Sequence, residues 1–139
     1  MANAIKETFY LSDDGWIYTD SFGCAALEGR QGSDVGISVE RGRRILTLPA
    51  EVDGRDVYII NFDWEYNDTV TDVIVPEGVG IIGPHAFWGW SRLRRIRIPD
   101  SVKEVSEGAL YGTAVPRKVK KKLYKRNLCV TEIPYGEWS

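Results

Sequence analysis

Val70-Thr71-Asp72-Val73-Ile74-Val75-Pro76-Glu77-Gly78-Val79 and Leu93-Arg94-Arg95-Ile96-Arg97-Ile98-Pro99-Asp100-Ser101-Val102 are two versions of one phrase, 23 residues apart. The register continues beyond them, with Ile82 over Val105, Ala86 over Ala109, Phe87 over Leu110, Trp88 over Tyr111 and Gly89 over Gly112. Each phrase opens with a short β-branched run, Val70 to Val75 or Leu93 to Ile98, of the kind that favours a strand. A proline follows at once. It has no backbone donor and ends the ladder. A turn (Glu77-Gly78, Asp100-Ser101) leads into a second apolar stretch, Val79 to Ile82 or Val102 to Val105. Ala-Phe-Trp-Gly or Ala-Leu-Tyr-Gly closes the unit, where glycine suits a capped turn.

The phrase extends upstream in degraded form. Ile45-Leu46-Thr47-Leu48-Pro49 is a strand ended by proline, and Val57-Tyr58-Ile59-Ile60 corresponds to Val79-Gly80-Ile81-Ile82. The turn between them, around Asp53-Gly54, is about five residues longer than its later counterparts. Asn61-Phe62-Asp63-Trp64-Glu65-Tyr66 lacks the Ala-Phe pair but keeps aromatic character. Thr113-Ala114-Val115-Pro116 reads as a strand start cut short, so the array ends there. One such unit cannot bury its own apolar edge, so units must stack. A period of about 20–29 residues with fixed apolar positions marks a leucine-rich-repeat solenoid. The expected fold is therefore an α/β or mainly β repeat protein of about three units.

Val73 to Leu93, through Pro76, Val79, Ile82-Gly83 and Ala86-Phe87-Trp88-Gly89, resembles the BspA-like leucine-rich-repeat family. Its repeats run strand, Ile-Pro, Val-x-x-Ile-Gly, x-x-Ala-Phe-x-Gly-Cys, x-x-Leu. Leu48-Pro49 to Val57 resembles an opening unit of that family, and residues 9–43 its N-terminal hairpin. Trp90 stands where the family has Cys or a small residue. The resemblance implies a right-handed solenoid used as an interaction surface, in a family that includes bacterial surface adhesins. It implies no catalytic motif.

The ends read as caps on the open faces of the stack. Phe9-Tyr10-Leu11, Ser12-Asp13-Asp14-Gly15 and Trp16-Ile17-Tyr18-Thr19 form a hairpin pattern with an Asp-Gly turn. Gly29 to Gly36 reads as loop. Arg117 to Arg126 follows Pro116, a good helix start, with Val115, Val119 and Leu123 as one apolar stripe. A short strand is expected at Leu128 to Ile133. The 139 residues then form one domain, with a β cap at 9–44, repeats at 45–116 and a helix-and-strand cap at 117–139.

Composition narrows the function. The chain has 18 basic and 20 acidic residues, a net charge of −2, so no global field favours nucleic acid. One histidine excludes a multi-histidine metal site. No apolar run reaches the length of a transmembrane helix. The start, MANAIKETFYLSDDGWIY, has no leader-like core. A cytoplasmic location is expected for the sequence as it stands, and a cell-surface or secreted one if a leader was removed. Cys24 and Cys129 are expected to be buried free thiols. Gly78 to Gly83 matches Gly-x-Gly-x-x-Gly by letter but opens no long helix, so it is not a dinucleotide motif. No catalytic residue, metal or cofactor is assigned.

Three candidate surfaces remain. Parallel stacking would set Arg95 beside Asp72, as a solvent-exposed ion pair, and Arg97 beside Ile74 and Thr47. Asp72, Ile74, Arg95 and Arg97 thus define a partner-binding strand face. Trp88 and Trp90 flank Gly89 on the outer turn, where at least one is expected to be exposed. With Trp64 and Tyr66 they could anchor a protein or stack on a sugar. Residues 117–126 hold seven Lys or Arg in ten. Of these, Lys118, Lys121, Lys122 and Lys125 form a basic patch for nucleic acid or an anionic surface, although a solvated capping helix is favoured. The favoured function is a non-catalytic protein-interaction module. The expected partner is a protein, with nucleic acid not favoured, and the chain is expected to be a monomer or weak homodimer without membrane insertion.

Overall fold

The computed structural model describes residues 8–62, 65 and 67–125. The predicted strand at 128–133, Cys129 and the side chains of Asp63, Trp64 and Tyr66 lie outside these residues. Eleven strands and one helix are described. They are β1 (Tyr10–Leu11), β2 (Trp16–Ser21), β3 (Cys24–Arg30), β4 (Ile37–Glu40), β5 (Arg43–Thr47), β6 (Glu51–Val52), β7 (Arg55–Ile60), β8 (Asp72–Ile74), β9 (Ile81–Ile82), β10 (Arg95–Arg97), β11 (Glu104–Val105) and α1 (Arg117–Tyr124).

These strands divide between two sheets. The larger runs β1-β2-β3-β7-β9-β11, with β6 paired to β7, and the smaller runs β10-β8-β5-β4. The two strands of each phrase therefore separate. The one before the proline joins the small sheet, and the one after the turn joins the large sheet. Pairing is parallel from β5 through β8 to β10, and from β3 through β7 and β9 to β11. Arg95 pairs with Asp72 and Arg97 with Ile74, the 23-residue register read from the sequence. Ile82 pairs with Val105 in the large sheet at the same offset.

One buried apolar cluster contains the inward side chains of both sheets. Leu46 and Val73 enter from the small sheet, with Ile96 packed against their edge. Ile60, Ile82 and Val105 enter from the large one, all without exposed surface. The phrase-closing residues Ala86, Phe87, Ala109 and Leu110 are also buried. The Phe87 N–H donates to Ala109 O at 2.8 Å and the Gly89 N–H to Tyr111 O at 2.8 Å, so one closing turn hydrogen-bonds to the next. Phe62 belongs to this layer. Its ring lies edge-on to Phe87 and stacks on Trp90, with centroids 6.1 and 6.2 Å apart. Each of these aromatic side chains stabilises the fold by roughly 2–3 kcal/mol of transfer free energy. The repeat register reaches the backbone as well. His85 holds a left-handed φ of 61°, and one repeat later Gly108 takes φ 84°.

The segment before the repeats contributes to both sheets. β1 and β2 form the expected hairpin, with Tyr10 opposite Tyr18. β3 extends to Arg30, two residues into the stretch read as loop. It continues the large sheet by parallel pairing with β7, while β4 borders β5 antiparallel. Cys24 is a free thiol that is half-buried rather than buried, because it starts β3 at the β2–β3 turn. Gly36 joins the layers here. Its φ is 74°, and a β-carbon on it would sit 2.7 Å from the buried Trp16 ring and 3.0 Å from Leu46 Cδ1. Neither neighbour has free space to move into. Gly36→Ala is expected to lower stability by about 2–4 kcal/mol, combining left-handed strain with overpacking. Urea denaturation of the variant against the parent checks this.

Candidate functional site

The outward face of the small sheet carries two rows of side chains. Alternation puts Arg43, Ile45 and Thr47 outward on β5, Asp72 and Ile74 on β8, and Arg95 and Arg97 on β10. The register aligns Ile45, Asp72 and Arg95 in one row and Thr47, Ile74 and Arg97 in the next. A shallow groove of about 280 Å³ runs between them. Arg43, Ile45, Asp72, Ile74, Arg95 and Arg97 line it. The four strand-face residues expected from the sequence therefore meet in one groove. Arg43 is the addition. It stands two residues before Ile45, on the same face, and the 27-residue offset between Ile45 and Asp72 hides its proximity in a one-dimensional alignment.

The electrostatics depart from the sequence expectation. Asp72 is 4% exposed, so its bond with Arg95 is not an open surface pair. Its principal partner is Arg43, whose Nη2 lies 2.8 Å from Oδ2 and whose Nε lies 3.3 Å from Oδ1. Arg95 Nη1 stands further off, at 3.8 Å. Thr71 Oγ1 also donates to Oδ1 at 2.7 Å. The correction has a structural cause: the longer side chains of Arg43 and Arg95 close over Asp72 from both neighbouring strands. Burial alone would raise the Asp72 pKa. The hydrogen bonds from Arg43 and Thr71, and the charges of Arg43 and Arg95, outweigh it and hold the carboxyl below its ordinary value. Arg97 is exposed. Among the described residues no acid reaches it.

The tryptophans part company. Trp90 is fully buried, its Nε1–H donating to Glu65 O at 2.6 Å, so it is a core residue and no contact residue. Room for so large a ring comes from Phe62 and Phe87, which flank it. Trp88 is half-buried. It stacks on Tyr111, its counterpart one repeat on, with centroids 4.3 Å apart, and meets His85 edge-on at 4.9 Å. Neither tryptophan lines the groove.

The basic segment is helical from Arg117 to Tyr124, but the expected stripe is displaced. Val119 is 38% exposed, whereas Lys120, Leu123 and Tyr124 are buried. The face spaced i, i+3, i+4 from Lys120 lies over the last closing turn. There the Tyr124 hydroxyl accepts from the Leu110 N–H at 3.1 Å and Lys120 Nζ donates to Thr113 O at 3.3 Å. Lys118, Lys122 and Lys125 are exposed and Lys121 is half-buried. Burial, and secondarily the charge of Arg117, lowers the Lys120 pKa. Among the described residues no three His, Cys, Asp or Glu side chains converge as metal ligands. No described helix is long and apolar enough to cross a membrane.

No family model and no curated protein matches the chain. Solved structures do. A leucine-rich-repeat protein of T. pallidum is 23% identical, with a TM-score of 0.54 over 80% of this chain and 48% of that one. A leucine-rich-repeat protein of Bacteroides ovatus is 24% identical, with a TM-score of 0.54 over 83% of this chain and 28% of that one. One from Bacteroides capillosus is 19% identical, with a TM-score of 0.53 over 76% of this chain and 93% of that one. The chain spans about half the length of the T. pallidum protein and under a third of the B. ovatus one. The mainly β fold with one short helix is thus a leucine-rich-repeat fold. It is the type found in bacterial proteins that resemble the BspA-like group.

Two titrations follow from these environments. The folded Asp72 binds its proton less readily than the unfolded one, so its contribution is complete above about pH 4 and is lost as pH falls through the depressed value. Asp72→Asn is expected to cost about 1–3 kcal/mol at neutral pH, and to remove part of the acid-side fall in stability. Urea midpoints at neutral and acid pH measure both effects. Lys120 has the opposite behaviour. Its folded form resists protonation, so stability rises with pH below the ordinary lysine value. Lys120→Met should flatten that rise in the alkaline range just below the ordinary lysine value, read from urea midpoints of variant and parent.

Proposed function

We propose that the chain is a non-catalytic protein-interaction module that contacts its partner through the outward face of β5, β8 and β10. In this reading residues 45–116 are a short right-handed solenoid of about three units, with residues 9–44 and 117–139 as caps. The observation that carries it is the groove bounded by Arg43, Arg95 and Arg97, with Ile45 and Ile74 beside the buried Asp72. An apolar floor with a rim of arginines is the composition that protein contacts favour, since arginine is enriched at such interfaces. A leucine-rich-repeat fold suits this use, because stacked units align equivalent side chains into one extended surface. The basic helix is the weaker surface. Its packed face closes the last turn, and its exposed lysines stand without an aromatic interleaved among them.

Replacing both Arg95 and Arg97 with Glu is expected to abolish capture of the native partner from the source cell while circular dichroism shows an intact fold. Undiminished capture by the folded double variant would remove this face as the binding surface.

A further inference from the structure

Arg95 and Arg97 lie two residues apart on one strand, so they point the same way with Cα atoms about 6.6 Å apart. That is the repeat of alternate side chains along an extended peptide. Arg43 is hydrogen-bonded to the buried carboxylate of Asp72, which orders it before any ligand arrives. Arg95 stands in ion-pair range of the same carboxylate at 3.8 Å. Arg97 is left without an acid among the described residues. The acids close to the groove are Asp72, already engaged, and Glu40, the cross-strand neighbour of Arg43. Arg92 and Arg94 are exposed on either side of Leu93, immediately before β10, and add to the positive charge. A chain of net charge −2 thus gathers more arginines than acids around this groove.

Resting on the interaction-face reading above, we propose that the groove recognises an acidic, extended segment of a protein partner. A carboxylate side chain sits between Arg95 and Arg97, and an apolar side chain two residues along, on the same face of the extended segment, rests on Ile45 and Ile74. The guanidinium group is weakly hydrated and can grip a carboxylate through two parallel hydrogen bonds, so it suits a contact that excludes water. Nucleic acid would also meet the arginines. However, no aromatic ring lines the groove to stack a base, and the isoleucine floor has no use in phosphate binding. The volume of about 280 Å³ accommodates one or two side chains and falls short of an enclosed metabolite pocket.

The test uses short fluorescein-labelled peptides of repeated Glu-Ser-Val-Ser, which set Glu and Val on one face of an extended chain (the Glu-Val peptide), and Gln-Val and Lys-Val counterparts in which Gln or Lys replaces Glu, together with a labelled single-stranded thymidine oligomer. Binding to the full chain is followed by fluorescence anisotropy at low and physiological salt. The Glu-Val peptide is expected to bind at least about tenfold more tightly than its Gln-Val counterpart and to weaken as salt screens the contact. Arg97→Glu is expected to remove at least about tenfold of that affinity. Arg97 does not touch Asp72, so this variant spares the ion pair, and its thermal unfolding should match the parent. Equal binding of Glu-Val and Gln-Val, no saturable Glu-Val binding, or no effect of Arg97→Glu overturns the proposal. So does a thymidine oligomer that displaces the Glu-Val peptide and binds more tightly.

Thr47→Trp separates this inference from the reading beneath it. Thr47 is exposed in the second row, so the bulky ring obstructs the face without altering its charge. Native-partner capture lost in Thr47→Trp but kept in Arg97→Glu refutes acidic recognition and leaves the interaction face standing. Capture kept in both refutes the face itself. Capture lost in both, with the peptide ranking above, supports both levels.

Discussion

The fold depends on β10 stacking on β8 in parallel at a fixed offset of 23 residues. A slip of β10 by one residue would turn Arg95 and Arg97 inward and expose Ile96. The same register is enforced away from the strands. The Gly78 N–H donates to Ser101 Oγ, which in turn donates to Val79 O at 2.8 Å. The Lys103 N–H donates to Gly80 O at 2.9 Å and the Ser106 N–H to Ile82 O at 2.8 Å. Each turn of one unit is therefore hydrogen-bonded to the equivalent turn of the next. Once the register is set, the outer row follows without further specification. It is the reason a surface groove can be built from residues spread across three strands.

Where the sequence breaks its own period, polar contacts hold the chain to the core. The first unit lacks the Ala-Phe pair, and its closing turn is held by Glu65. The Glu65 carboxylate accepts from Arg30 Nη2 at 2.9 Å and Nε at 3.1 Å, with the Arg30 side chain only 3% exposed. Its carbonyl accepts from Trp90. Asn67 Oδ1 accepts from the N–H groups of Thr69 and Val70, both at 2.9 Å, leading the backbone into β8. A buried arginine is costly to desolvate and is tolerable only when its donors are met. Arg30 meets that condition through Glu65, Ser33 O and Val35 O. Glu65 is thus tied to β3 and to the second unit at once.

How far the sequence was legible varies with the kind of interaction. Period and proline positions predict the strand pairing, because backbone register obeys a short local rule. The alignment of Asp72 with Arg95 and of Ile74 with Arg97 followed from the same count. Side-chain reach did not. Arg43 belongs to the groove because a long side chain crosses diagonally to Asp72, and no spacing rule encodes a diagonal. For Trp90 the sequence leaves two environments open, as for any aromatic beside a turn glycine, and only the neighbouring unit decides between them. Phe62 and Phe87 supply the pocket, and the carbonyl of Glu65 supplies the partner for its N–H. Around α1 the apolar letters Val115, Val119 and Leu123 point to one stripe, yet Lys120 takes the buried place in the stead of Val119. Its aliphatic stem can pack like a hydrophobe while its amine reaches Thr113 O.

The same contrast bears on where function resides. Along this chain the charges nearly cancel, and a reading of net charge finds no field. Stacking redistributes them. Because the repeat places equivalent positions side by side, a charge choice made in one strand is set against the choice in its neighbour. Asp72 could have been opposed by a single arginine and neutralised. Instead it lies beneath Arg43 and Arg95, with Arg97 beyond its reach, so the row is overcompensated. A buried carboxylate is costly to desolvate, and this one is tolerated because Arg43 and Thr71 meet its oxygens while Arg95 stands in ion-pair range. Its effect is to hold positive charge in a fixed place above an apolar floor. That separates this face from the lysines of α1, whose charges ride on long side chains spread around a helix.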